Sequence, residues 1–244
     1  MVFRRAPESA SAATAYYSDR FGVKILAMAQ QLKRSSYHHG NLKQALIDAA
    51  TQMILETGIG SVTMRALARR VGVSPAAYAY HFPDKASLLV AIAAEGFRKL
   101  NSYFDDASKE AEPLDKLSVL GRRYLDFSLE YPGHYRVMFG DHSELEEKHP
   151  QPTHVTEEFM AESSRAFNTL VDTLSEVLEG TRSRWNNLEA ALAVWSQIHG
   201  AVLLWNTGMY PPPVADSQER SEQEFRELTL AALRNTVDGL ARGS

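Results

Sequence analysis

Between Ser61 and Lys85 the chain reads SVTMRALARRVGVSPAAYAYHFPDK, with four basic side chains and a single carboxylate, Asp84. The residues able to do chemistry here stand at the starts of short helix-like runs. Thr63 and Ser74 are good N-caps, and Pro75 follows Ser74 where its missing N–H costs nothing. Arg65 falls in the first turn after Thr63, and Lys85 in the first turn after Asp84. Cations beside unpaired N–H groups at helix starts hold anions, phosphate above all. That is noncovalent anion binding. The chain shows no Gly-rich phosphate loop, no nucleophile elbow and no HExxH pair, so nothing points to an enzyme or to a bound cofactor.

The elements that position these groups follow from spacing. Leu42, Ala45/Leu46, Ala49/Ala50 and Met53/Ile54 recur at helical steps between a capping Asn41 and Gly58, which is expected to end the helix in a left-handed conformation. Met64, Leu67, Ala68 and Val71 form one apolar stripe of a second short helix. Gly72 then permits a sharp turn at positive φ, and a third helix runs from Pro75 to about Phe82. Pro83 stops it, and Asp84 caps a fourth. Two short helices joined by a Gly turn make a helix-turn-helix, whose second helix fits the major groove of DNA.

Charge divides the same way. Residues 33–85 carry seven Lys/Arg against three acids, net +4. Residues 1–32 are net +2, and the remainder carries −10 in a chain of net charge −4. A basic module joined to an acidic body suits a polyanion-binding segment attached to something that need not touch the polyanion.

YHHGNLKQALIDAA, TGIGSVTMRALARRVGVSPAA and HFPDKASLL together resemble the DNA-binding domain of the TetR family of bacterial transcriptional regulators. The resemblance spans about residues 37–95. It implies a double-stranded DNA operator contacted by Thr63, Arg65, Ser74, Pro75, Ala76, Ala77, Ala79, Tyr80, His81 and Lys85. The family usually places a phosphate-contacting Tyr two residues before the His-Phe pair, where this sequence has Ala79. Tyr80 is the better substitute, because Tyr78 falls on an inward position. Pro75, Ala76 and Ala77 lack hydrogen-bond donors, so their methyls are suited to thymine methyls, and DNA shape is expected to supply part of the specificity.

The fold class expected is all-α. An N-terminal extension, 1–36, is read as disordered, with Met28 a possible translation start. A three-helix DNA-binding domain fills 37–83, and a larger helical ligand-binding and dimerisation domain 84–244. In that body Tyr124, Phe127, Tyr131, His134, Tyr135, Met138 and Phe139 gather on or after one helix, with Met160, Phe167 and Trp195 placed to face them. Aromatics at this spacing form either plain core or the lining for an apolar or aromatic small-molecule effector. The polar loop GDHSELEEKHPQPTHVTEE holds His142, His149 and His154, but with no compact ligand spacing no metal site is expected.

VWSQIHGAVLLW places Trp195, His199 and Leu203 on one helical face. Its Trp-x-x-x-His-Gly run resembles a C-terminal domain of one branch of the family, named for those residues. His199 is either a hydrogen-bonded core residue or a ligand contact, and Gly200 is expected to admit a close neighbour. The last two long helices carry broad apolar faces. By resemblance they pair with their copies in a homodimer, as a twofold DNA site also requires. No apolar run of about 18 residues is seen, so no membrane span is expected. The absence of cysteine suits a cytoplasmic protein. The function expected is a ligand-responsive transcriptional repressor. The alternative is a non-enzymatic α-helical protein-interaction module.

Overall fold

The computed structural model describes residues 41–109, 112–140, 156–210 and 221–242. Among these there are nine α-helices and no strand: α1 (Leu42–Thr57), α2 (Met64–Val71), α3 (Pro75–His81), α4 (Lys85–Phe104), α5 (Pro113–Glu130), α6 (Pro132–Phe139), α7 (Glu157–Leu178), α8 (Asn187–Asn206) and α9 (Glu222–Arg242). A 3-10 turn, Asp105–Lys109, follows α4. The N-terminal extension, the His- and Glu-rich loop at 141–155 and the prolines at 211–213 lie outside the described residues.

Helix starts follow the capping residues. Asn41, Thr63, Ser74, Thr156 and Asn186 each accept a backbone N–H from three residues on. Asp84 accepts from Ser87 N at 2.8 Å, and Ser87 Oγ returns a bond to the Asp84 carbonyl. Asn186 and Glu189 form a reciprocal capping box on α8. Gly72 takes the left-handed conformation, and its N–H and that of Val73 both donate to the Ala68 carbonyl. Gly58 differs from expectation. Its φ is +84°, but its ψ of 163° is extended, so α1 ends in a conformation open essentially to glycine alone rather than in a left-handed cap.

The chain packs as two compact units that divide inside α4. The first takes residues through Ile92, together with Phe139 and Gly140. Its core is Leu46, Ile54, Leu67, Leu88 and Ile92, all fully buried, with Val62 and Phe82. No residue of α3 is buried. Phe82, its 2% exposed C-cap, anchors one end of that helix. Burying such side chains stabilises by about 1.5–3 kcal/mol each.

The second unit holds Ala93–Met138 and the residues from Val155 on. Phe127, Leu125, Leu174, Val202 and Phe225 are its deepest side chains. Trp205 stacks on Phe225 with centroids 4.4 Å apart, joining α8 to α9. Ion pairs tie its helices at the surface. Arg165 meets Asp105, Lys116 meets Glu176, and Asp126 bridges Arg123 and Arg226. Asn101, buried in α4, donates to both the carbonyl and the carboxylate of Glu162 in α7.

Close approach occurs at Gly96. A Cβ there would lie 2.4 Å from Met138 Sδ and 3.3 Å from His134 Cβ, so α4 and α6 meet because position 96 has no side chain. At Gly200 a Cβ would meet nothing within 4 Å among the described residues. The neighbour expected at Gly200 is therefore not supplied by the described part of this chain. Gly96→Ala is expected to cost about 1–3 kcal/mol by overpacking. Met138→Ala in the same chain should recover part of that loss, and thermal unfolding of the single and double variants measures both.

Candidate functional site

The first group of site residues gathers on α2, α3 and the start of α4. Thr63 accepts from Ala66 N, and Ser74 from Ala77 N, each at 3.2 Å. Arg65 and Arg69 are exposed on α2. Arg70 instead holds Glu56 of α1 by two bonds of 2.5 and 2.7 Å and also reaches Gln52. Its charge is thus spent on orienting α2. Ser74, Pro75, Ala76, Ala79 and Tyr80 face solvent, whereas Ala77, Tyr78 and His81 are half-buried. Tyr80 is 86% exposed, with its ring edge-on to His81. This division explains why position 80, and not 78, is able to reach outward. Lys85 stands apart from expectation. Its Nζ lies 2.6 Å from the Ile59 carbonyl and 3.5 Å from that of Gly60, so the ammonium clamps the α1–α2 turn.

The second group does not assemble as one cluster. Tyr124, Tyr135, Phe167, Trp195 and His199 come together from α5, α6, α7 and α8. Trp195 lies between Phe167 and His199, with centroids at 6.0 and 5.7 Å, and Tyr135 stacks on His199 at 5.6 Å. Tyr135 Oη is 2.7 Å from His199 Nδ1, and Tyr124 Oη is 3.2 Å from the same nitrogen and 3.4 Å from Tyr135 Oη.

Burial pushes the Tyr124 hydroxyl up to about 12 and Tyr135 higher still. Burial also lowers the His199 pKa. Both phenols are therefore protonated and the imidazole neutral at pH 7. Tyr135 Oη and His199 Nδ1 share one hydrogen bond, whose donor is set by the imidazole tautomer. Trp195 also bonds to Tyr124 through its side chain, so its indole N–H donates to the phenol. The Trp-x-x-x-His spacing thus serves a hydrogen-bonded network that joins three helices.

Phe127 and Tyr131 belong to a different cluster. Phe127 is fully buried and stacks on Tyr131, with Tyr103 edge-on to both. Beside them Glu95, buried in α4, receives Lys99 Nζ at 3.3 Å and faces His134 Nε2 at 3.4 Å. Lys99 Nζ lies 4.7 Å over the Tyr131 ring. Tyr103 donates to Glu130 at 2.5 Å, and burial together with that carboxylate raises its pKa.

Met138 packs against Gly96, and Phe139 counts with the first unit. Met160, expected to face the aromatics, is 52% exposed. Sequence reading missed Glu95 and Lys99 as a pair. A carboxylate within the apolar stripe Ile92, Ala93, Gly96, with a lysine four residues on, was the available signal. Among the described residues no group of three potential metal ligands occurs.

A helix-turn-helix with its second helix bare to solvent, followed by an all-helical body, defines the class of DNA-binding regulators with a C-terminal helical domain. Residues 46–92 match the family model for bacterial regulatory proteins of the tetR family, and 117–232 match a tetracyclin repressor-like C-terminal domain. The chain belongs to the TetR family. The C-terminal match does not single out the Trp-His-Gly branch.

The chain is 26% identical over 98 residues to an uncharacterized HTH-type transcriptional regulator, YobS of Bacillus subtilis (strain 168), covering 40% of this chain and 51% of that one. It spans about half the length of the curated relatives it matches first. A solved protein of unknown function from Rhodococcus sp. RHA1 shares the fold with TM-score 0.64 and 25% identity, over 85% of this chain and 100% of that one. A regulatory protein in the tetR family from Rhodococcus RHA1 gives 0.60 and 18%, over 82% and 96%.

Tyr135→Phe leaves Nδ1 of His199 without its short bond and should cost about 1–2 kcal/mol in thermal or denaturant unfolding. For His199 the folded pKa lies below the unfolded one, so the unfolded chain binds more protons below neutral pH. Its contribution is complete above about pH 6.5 and is lost as pH falls toward the depressed folded value. An NMR titration should place this imidazole below the ordinary histidine range.

Proposed function

We propose that the protein is a ligand-responsive transcriptional repressor that binds a pseudo-palindromic operator as a homodimer and is released by an apolar or aromatic small molecule. The observation that carries this reading is α3. It is a capped helix with no buried residue, presented to solvent by a well-packed α1–α2–α4 core. A helix so placed contributes nothing to its own core and is available to the major groove. Arg65 on α2 supplies phosphate contact, with Thr63, Ser74, Tyr80 and His81 as hydrogen-bonding neighbours. Lys85 acts by holding the α1–α2 turn beside that phosphate contact.

The partner surface is argued from α8 and α9. Ala191, Ile198, Val202, Trp205, Phe225, Val237 and Leu240 are buried within the chain, while Leu188, Leu192, Leu203, Leu204 and Leu228 are exposed. α8 is long and apolar enough to cross a membrane by length and composition, although core helices pass the same test. A second copy covering these leucines accounts for that composition without a membrane, and the open space over Gly200 suits close packing by the copy.

The effector would lie against Tyr124, Tyr135, Phe167, Trp195 and His199, the polar tips orienting it within an aromatic wall. Phe127 and Tyr131 belong instead to the separate core cluster around Tyr103. Tyr135 and Met138 share α6, so a ligand that displaces α6 acts on α4 at Gly96. Such a ligand must bind two conformations unequally, and a coupling of about 1–3 kcal/mol changes operator affinity fivefold to 150-fold. The protein works by binding in the cytoplasm, without turnover of its ligand.

Fluorescence anisotropy on the DNA upstream of its own gene, with a random competitor duplex and varied salt, tests this. Selective binding that weakens steeply with salt is expected. Failure to prefer any sequence from a random library returns the basic helices to a protein-interaction role. Leu203→Glu with Leu228→Glu should yield monomers in sedimentation and weaken operator binding more than tenfold at unchanged helicity.

A further inference from the structure

The solvent face of α3 carries no amide, guanidinium or carboxylate. Its exposed residues are Pro75, Ala76, Ala79 and Tyr80, behind the capping Ser74. At 100° per residue, positions 75, 79, 76 and 80 share an arc of roughly 140°. A pyrrolidine ring and two methyl groups therefore form one apolar patch, with the Tyr80 hydroxyl at its edge. Ser74 Oγ is already engaged, accepting from Ala77 N at 3.2 Å. Tyr78 and Ala77 turn partly inward, and His81 lies edge-on against Tyr80. The exposed arginines, Arg65, Arg69 and the Glu56-paired Arg70, belong to α2.

Base identity in the major groove is marked in two ways. Guanine and adenine are read by bidentate Arg, Lys, Asn or Gln, and thymine by apolar contact with its C5-methyl. The first set of side chains is missing from the exposed face of α3, and the second is what that face offers. Short side chains also let the helix backbone approach the base edges. Ala76 and Ala79 are separated by a rise of about 4.5 Å along the helix, comparable with one to two base steps of roughly 3.4 Å.

We infer that α3 reads its half-site through thymine methyls, with Ala76 and Ala79 each seated against the C5-methyl of a thymine one to two base steps apart. This rests on the reading of the protein as a DNA-binding regulator. Affinity comes from phosphate contacts by α2 and the helix ends, and discrimination comes from methyl-on-methyl contact. Replacing thymine by uracil removes the C5-methyl while leaving base pairing and phosphates in place.

The test begins with selection from a random duplex library made with dT, followed by remaking the enriched sequence with dU at one thymine at a time. Each contacted thymine is expected to weaken binding about fourfold on losing its methyl, equivalent to about 0.8 kcal/mol. Two in a half-site should weaken it about 15-fold, with the salt dependence unchanged because phosphate contacts remain. Ala76→Gly and Ala79→Gly should each abolish the dT-to-dU difference at one thymine and retain it at the other. Ala76→Ser and Ala79→Ser serve as second variants should glycine unfold so short a helix.

A selected sequence bound equally with dT and dU overturns the inference and leaves the regulator reading standing. A dT-to-dU difference unchanged in every variant likewise overturns the assignment to Ala76 and Ala79. Enrichment of no sequence at all overturns the regulator reading itself, and this inference with it.

Discussion

The contact at Gly96 sets the geometry on which the second unit depends. A methyl at that position would have to share space with Met138 and His134, and packed interiors yield little room for such a change. The missing side chain fixes how close α6 comes to α4. Three residues before Met138 on the same short helix stands Tyr135, whose hydroxyl reaches His199 of α8. One helix of eight residues therefore carries both a steric stop against α4 and a hydrogen bond to α8. Any molecule that alters the second feels the first.

The polar groups buried along this route are matched in unequal ways. Tyr124, Tyr135, Trp195 and His199 satisfy one another in a neutral network whose charged states burial disfavours. Glu95 and Lys99 form an ion pair instead, with His134 Nε2 3.4 Å from the same carboxylate and Lys99 also over the face of Tyr131. Removing one member of a buried charged group costs more than the group contributes as a whole, because the remaining charge is left uncompensated. Buried networks of this kind hold a single arrangement more firmly than apolar packing does. They also provide a defined alternative when a ligand takes over one of the bonds.

The helix-turn-helix follows a different economy of contacts. α3 is held by its cap, by Phe82 at its end and by the left-handed turn at Gly72, and it gives no side chain to the core. Arg70 and Lys85 spend their charge on Glu56 and on the Ile59 carbonyl. Basic residues in such a module thus divide between building the frame and facing outward, a division that net charge does not express.

Much of this was legible in the sequence, because it depends on local chemistry. Caps at Asn41, Thr63, Ser74 and Asp84, the proline at position 75 and the glycine at 72 act within a few residues, so their types and spacing suffice to place α1 to α4 and the turn between α2 and α3. Tertiary structure decided what depends on residues far apart in the chain. It separated Phe127 and Tyr131 from Tyr124, Tyr135 and His199, turned Met160 outward, put the close approach at Gly96 rather than Gly200, and gave Lys85 to a carbonyl 26 residues away. Helical periodicity tells which residues share a face. Which face meets which is fixed only when all the helices pack at once, since each must fill space that the others leave.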